Sequence, residues 1–156
     1  MYSIGMTLTR EPAHASPGYL VWRLSMKWRA AVDREVADLG LTHAQYSVLA
    51  SLYSMALQGR RPSQRELADF TGLDPVHVSK VVRALEQAGL VDRAGHAADS
   101  RAVQLAPTDS GREVITQAVR RVSRLLDRLT APLGGLGAPQ TEAFVATLNS
   151  LLDVEP

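Results

Sequence analysis

Apolar residues recur at steps of three and four through Val21, Leu24, Trp28, Val32, Val36 and Leu39, so the spacing predicts one helical face from Gly18 to Leu39. Gly40 ends it, as a residue free to turn left-handed does. Thr42 and Gln45 stand three apart before the next apolar run and form a capping box, in which hydroxyl and amide each satisfy a free backbone N–H. A helix then runs to about Leu57 and is expected to bury Tyr46, Leu49, Leu52 and Tyr53. After the broken basic linker Gln58–Pro62, Ser63 and Glu66 make a second capping box for a short helix with Leu67 and Phe70 facing inward. Gly72 closes that helix. Asp74 caps the next one, with Pro75 at its first position, where a missing N–H costs nothing. Val78, Val81, Val82 and Leu85 form its buried face, and Gly89 stops it.

The pattern then changes period. Leu90–Arg93 and Ala102–Leu105 read as short strands of a hairpin around Ala94–Arg101, with the second strand ending at Pro107, which cannot donate to a ladder. Thr108 caps a long helix whose stripe is Val114, Ile115, Ala118, Val119, Val122, Leu125, Leu126 and Leu129. Pro132–Gly137 breaks the chain, and Pro139 opens a last helix through Phe144, Val145, Leu148 and Leu151. The fold class is therefore mainly α with one small β-hairpin. The terminal helices carry more apolar surface than one small chain can cover, which predicts a homodimer.

Composition narrows the function. At 156 residues with 46% hydrophobic and 21% charged positions the chain is long enough for one domain with helical extensions. It has no cysteine, which excludes disulfides, thiolate metal sites and thiol redox switching. His14, His43, His77 and His96 are scattered without a second ligand at helical spacing, so no metal and no cofactor are expected. No serine, histidine and acid share a catalytic context, and Gly134-Gly135-Leu136-Gly137 follows a helix, not a strand, so it is a linker and not a phosphate loop. An enzyme is not expected. The first 17 residues lack an apolar signal core and read as a flexible arm, and no run approaches the length of a membrane span, so the cytoplasm is the expected compartment. The formal net charge is +1. That average hides a local grouping of cations, since a basic face can be offset elsewhere.

That grouping lies on a helix-turn-helix. Ala68 is small where two helices cross, Gly72 supplies the turn, and the buried face of the second helix leaves Val76, His77, Ser79, Lys80 and Arg83 outward, near the end that enters a major groove. The hairpin directly afterwards makes the unit a winged helix-turn-helix. Lys80 and Arg83 are candidates for a guanine edge and a phosphate. Ser79 and Ser63 are candidate phosphate donors near helix N-termini. Gln64 and Arg65 stand beside Ser63, and Arg60, Arg61 and Arg93 add backbone attraction. For His77, base contact and plain exposure both remain open.

These residues resemble the multiple-antibiotic-resistance regulator (MarR) family of bacterial transcription factors. The carrying blocks are Leu41-Thr42-x-x-Gln45-Tyr46-x-Val48-Leu49, Ser63-Gln64-x-Glu66-Leu67-Ala68, Val78-Ser79-Lys80-Val81-Val82-x-x-Leu85-Glu86-x-x-Gly89-Leu90-Val91-x-Arg93, Asp99-x-Arg101-Ala102-Val103 and Thr108-x-x-Gly111. The resemblance implies a winged helix-turn-helix over residues 41–111, helical dimerisation regions over 18–40 and 112–156, a homodimer, a palindromic operator in double-stranded DNA, and a ligand pocket between the two regions. It also implies that Arg101, oriented by Asp99, enters the minor groove from the wing. The chain departs from the family pattern in the wing. Ser100 replaces the first of two arginines, Pro107 replaces a leucine, and Ala94-Gly95-His96-Ala97-Ala98 lacks charge.

With no thiol to oxidise, regulation falls to occupancy of a cleft or is absent. Trp22, Trp28 and Tyr46 are candidates to line a site for a small aromatic or phenolic effector, with Arg23 or another nearby arginine pairing its acid group; core packing is the competing reading of these rings. Three functional readings stand: a ligand-released repressor, a DNA-binding regulator with no small-molecule effector, and a winged-helix adaptor that binds protein.

Overall fold

A serine and a proline begin the first helix earlier than the apolar period suggests. In the computed structural model, which describes residues 16–96 and 99–155, helix α1 spans Pro17–Val36. Ser16 caps it by accepting the Tyr19 N–H at 3.3 Å. Ser16 and Pro17, expected in the arm, therefore belong to the helix, and the remainder of that arm lies outside the described residues. A short 3-10 turn (Ala37–Leu39) follows and ends at left-handed Gly40, with φ 74°.

Helix α2 (His43–Leu57) starts at the expected capping box. Thr42 N–H donates to Gln45 Oε1 at 2.9 Å and Gln45 N–H donates to Thr42 Oγ1 at 3.2 Å. This helix packs on every large neighbour, so it buries more than one stripe: Val48, Leu49, Leu52 and Met55 are all inaccessible. Tyr46 and Tyr53 are only half-buried at its margins.

Helices α3 (Gln64–Thr71) and α4 (Pro75–Gln87) form the helix-turn-helix, joined through left-handed Gly72. Leu67 and Ala68 are buried against the inward face of α4, formed by Val78, Val81, Val82 and Leu85. Phe70 does not face inward as expected; it is 54% exposed. A helix turns about 100° per residue, so a two-turn face centred on Leu67, Ala68 and Thr71 leaves Phe70 on its flank.

Strands β1 (Val91–His96) and β2 (Asp99–Pro107) pair antiparallel, from Val91 opposite Pro107 to Gly95 opposite Val103, with a register irregularity at Gly95/His96. The second strand ends at Pro107 as expected. Both strands extend further toward the turn than their own β propensity predicts, because pairing with a partner, not side-chain character, orders Ala94-Gly95-His96. Leu105 N–H donates to Pro62 O at 2.8 Å, tying the outer edge of β2 to the linker before α3.

Helix α5 (Asp109–Leu129) is locked to the end of α4. Thr108 Oγ1 donates to Gly89 O at 2.7 Å and accepts the Gly111 N–H at 3.0 Å, while Thr108 N–H donates to Leu90 O at 3.0 Å. The inner stripe of α5, with Ile115, Ala118, Val122 and Leu125, then runs back over α1 and α2. Ion pairs Arg121–Asp38 and Arg128–Glu35 border the α1–α5 contact. Helix α6 (Pro139–Leu152) is different: it buries only Thr141, and Val145, Leu151 and Leu152 are exposed. Among the described residues no helix is long and apolar enough to cross a membrane.

A Cβ on Gly111 would lie 2.0 Å from Leu90 O, a contact that only movement of the α5 start could relieve. Gly111→Ala is therefore expected to lower unfolding stability by about 1–3 kcal/mol, read from urea denaturation. A midpoint equal to that of the unaltered chain would show that the junction is looser than this packing implies.

Candidate nucleic-acid interface and adjoining cleft

The start of α4 is held by Asp74, whose Oδ1 accepts the N–H groups of Val76 at 2.9 Å and His77 at 3.2 Å. With Val78, Val82 and Leu85 buried, helical rotation turns Val76, Lys80, Arg83 and Gln87 outward along one line. All four are exposed, and Val76 is 64% so. His77 is exposed and lines a groove with Arg29 and Asp33 of α1, and Ser79 is half-buried. Gln87 completes the i, i+4, i+7, i+11 stripe and was not singled out from sequence, although that spacing was there to be read.

Other candidate residues surround this stripe with different freedom. Arg93 Nε is held by Glu86 at 2.8 Å, an ion pair that fixes β1 to the last turns of α4. Ser63 and Gln64 are half-buried at the start of α3, and Arg65 is exposed. Ser63 Oγ already accepts the Glu66 N–H at 3.2 Å, and its own N–H donates to Glu66 at 2.7 Å. The Ser63 backbone N–H first, and the Ser63 hydroxyl after it, hold the Glu66 carboxyl below its usual range. Asp99 and Arg101 are in β2, but their side chains lie outside the described residues.

A cleft of about 610 Å³ opens between α1, α2 and α5. Trp22, Met26, Trp28 and Val32 of α1, Tyr46 of α2, and Val122 and Leu126 of α5 supply its apolar walls. The three aromatic residues proposed from sequence are thus brought together. Arg23 is not with them. Its guanidinium lies 5.9 Å from the Tyr19 ring centroid, a cation–π contact on another side of α1. One residue of helix rotates a side chain by about 100°, whereas seven residues return it to the same face, so Arg29 takes the place expected of Arg23.

His43 and Ser25 are further polar groups of the cleft that sequence reasoning missed. Burial pushes the His43 imidazole below the usual 6.5, the Arg29 charge acts in the same direction, and Asp33 acts against both. Burial also raises the Tyr46 phenol. The cleft therefore combines flat apolar walls, a fixed positive charge and a neutral imidazole. Such a site suits a planar ligand with an anionic group.

Set beside known proteins, the arrangement is familiar. A MarR family profile matches residues 39–102. An uncharacterized HTH-type transcriptional regulator of Bacillus subtilis, YdcH, is 33% identical over 142 residues, covering 91% of this chain and 93% of the relative. The chain belongs to the MarR family. It is accordingly a DNA-binding transcriptional regulator of winged-helix fold, and not an enzyme. Among solved structures of the family, CouR of Rhodococcus jostii RHA1 bound to p-coumaroyl-CoA superposes with TM-score 0.74 at 30% identity, over 89% of this chain and 93% of that one. The transcriptional repressor CouR bound to a 23-mer DNA duplex superposes with TM-score 0.77 at 28% identity, over 93% and 98%.

The state of His43 yields a test within this MarR family member. Its folded-state pKa is depressed, so below 6.5 the unfolded chain takes up the proton first. Stability is then complete above 6.5 and declines as pH falls from there toward the folded value. An NMR titration should place the His43 imidazole below 6.5, and His43→Gln should flatten that part of the stability–pH curve. A midpoint at or above 6.5 would remove the neutral imidazole from the account of the cleft.

Proposed function

We propose that the chain is a homodimeric repressor that holds a palindromic operator through α4 and the hairpin and releases it when a small aromatic or phenolic acid enters the cleft. The observation that carries the DNA reading is the exposed stripe of Val76, Lys80, Arg83 and Gln87 on a helix whose opposite face is the core. In this reading α4 lies in the major groove, where Lys80 and Arg83 meet base edges or phosphates and Val76 can pack on a thymine methyl. Ser63, Gln64, Arg65, His77, Ser79 and Arg93 surround it at the backbone, and Arg101 reaches the minor groove with Asp99 orienting it. Residues 41–111 act as the DNA-binding unit.

Residues 18–40 and 112–156 supply the dimer. Support comes from apolar side chains that the chain leaves uncovered: Leu20, Val21, Trp22 and Leu24 on α1, and Val145, Leu151 and Leu152 on α6. Between those helices an apolar cavity of about 380 Å³ is lined by Leu20, Val21, Leu24, Phe144 and Leu148. A second copy would cover both. Two α4 helices must then meet half-sites about 34–36 Å apart, and that spacing is the quantity an effector changes. An effector acts only through unequal affinity for the two dimer geometries; a ~100-fold preference is ~2.7 kcal/mol.

CouR supports both halves of the reading, as a repressor seen on DNA and as a protein seen with an aromatic ligand. The protein works where the DNA is, in the cytoplasm. A protein-binding adaptor is disfavoured by the family. Steep salt dependence of duplex binding separates the two, because each neutralised phosphate releases counterions.

Lys80→Ala or Arg83→Ala should weaken operator binding by about 1–3 kcal/mol where a base contact is lost, and should weaken all sequences alike where a phosphate contact is lost. Arg101→Ala should weaken binding with the fold intact. If Lys80→Ala and Arg83→Ala leave affinity for every duplex unchanged, α4 is not the reading helix. Sedimentation at micromolar concentration should give twice the 16.9 kDa chain mass, and a well-folded monomer there would refute the dimer.

A further inference from the structure

The first turn of α2 divides its residues between two spaces. Thr42, Ala44 and Gln45 line a groove of about 340 Å³ shared with α4, whereas His43 and, one turn on, Tyr46 line the aromatic cleft. Asp33 of α1 fastens this turn by accepting the His43 N–H on Oδ1 at 2.5 Å. The imidazole is therefore carried on a backbone pinned to α1, at the polar edge of a cleft whose other walls are largely aromatic and aliphatic.

Two charges act on that imidazole and oppose each other: the Asp33 carboxylate and the Arg29 guanidinium. Tyr46, the other titratable side chain that α2 gives to the cleft, has its phenol pushed up by burial and stays neutral. The cleft residues of α5, Val122 and Leu126, carry no charge, and neither do the α1 residues that line the cleft beside Arg29. With a neutral imidazole the formal charges at this edge cancel. With a proton on it, the edge carries one net positive charge.

We propose that His43 is a specificity-determining residue of the effector cleft: an aromatic monoanion enters together with one proton, which the imidazole takes up to become a second cation beside Arg29. The inference rests on the reading of the cleft as the effector site. Solvent supplies the proton, the ligand keeps its carboxylate, and no covalent bond to the ligand forms or breaks. Burial makes the empty imidazole resist the proton. A carboxylate in the same cleft reverses that balance, because a nearby opposite charge favours the charged form. Selectivity follows from the charge count. A neutral amide of the same acid gives the proton nothing to pair with, and a dianion leaves one negative charge unmatched in a half-buried space.

The test uses p-coumarate, whose carboxylate is ionised throughout the neutral range, and its neutral amide. At about pH 7.5, where an unpaired imidazole is neutral, titration calorimetry of the full-length protein in two buffers of different ionisation enthalpy should show uptake of a fraction of a proton with the acid. The amide should bind more weakly and with no uptake. Affinity for p-coumarate should rise as pH falls from about 8 toward 6.5, by up to about tenfold per unit, the limit for one linked proton. An NMR titration of the unaltered protein should find the His43 imidazole below 6.5 alone and above 6.5 with p-coumarate bound. His43→Gln, shown to be folded by its thermal melt, should bind p-coumarate with no proton uptake and with an affinity that no longer varies with pH.

Tryptophan quenching and operator release by p-coumarate without proton uptake leave the effector reading standing and overturn the role of His43. Undiminished uptake in folded His43→Gln does the same. If His43→Gln does not fold, the NMR titration decides, and an imidazole that stays below 6.5 in the complex overturns the proposal. No quenching by p-coumarate at any pH removes the effector reading for this ligand class, and the proton-linked entry with it.

Discussion

The structure depends on the close approach of α5 to the end of α4. Gly111 sits against the Leu90 carbonyl with no room for a methyl group, and Thr108 bonds to both sides of the junction. Three hydrogen bonds and one absent side chain thereby set the angle between the recognition helix and the long helix that returns over α1 and α2. In a two-fold assembly that angle, carried along the 21 residues of α5, would set how far apart two recognition helices stand. In the proposed regulator, a rigid junction would let a change at the α1–α2–α5 cleft be felt at α4 and not be absorbed locally.

The core and the cleft come from the same helices. Helix α2 is central because it is apolar on several sides, and Leu49, Leu52 and Met55 hold it against its neighbours. Toward its N-terminus the packing opens: His43 and Tyr46 replace aliphatic residues and face Trp22 and Trp28 across a space. Asp33 anchors the first turn of α2 from α1, so this end is fixed by a polar contact where the other is fixed by burial. A cleft bounded by aromatic rings and one fastened turn can accept a ligand without loss of the core.

Charge follows a related division. The net charge is only +1, yet Lys80 and Arg83 are exposed on the outer stripe of α4, while Arg121 and Arg128 pair with acids of the α1 region. Arg93 belongs to neither group, since its bond to Glu86 braces the hairpin on α4 and leaves it less free to follow a phosphate. A nearly balanced chain, with 17 lysines and arginines against 16 acids, can therefore still present a cationic face on α4, because ion pairing occupies some cations and leaves others exposed.

Much of this was legible in the sequence. The caps at Thr42, Ser63, Asp74 and Thr108, the left-handed Gly72, the buried face of α4 and the end of β2 at Pro107 are local properties, set by hydrogen-bonding groups and dihedral preferences within a few residues. The outward position of Lys80 and Arg83 follows from the same helical period. Tertiary structure alone decided the rest. Phe70 is exposed because a two-turn helix had its inward side taken by smaller neighbours. Arg29 and not Arg23 enters the cleft because which side of α1 meets α2 and α5 depends on packing among three helices distant in sequence. The outer halves of the strands are ordered by each other. Period and capping act along the chain and can be read there, whereas the choice of which side chain a neighbouring helix will meet is made only when the helices pack.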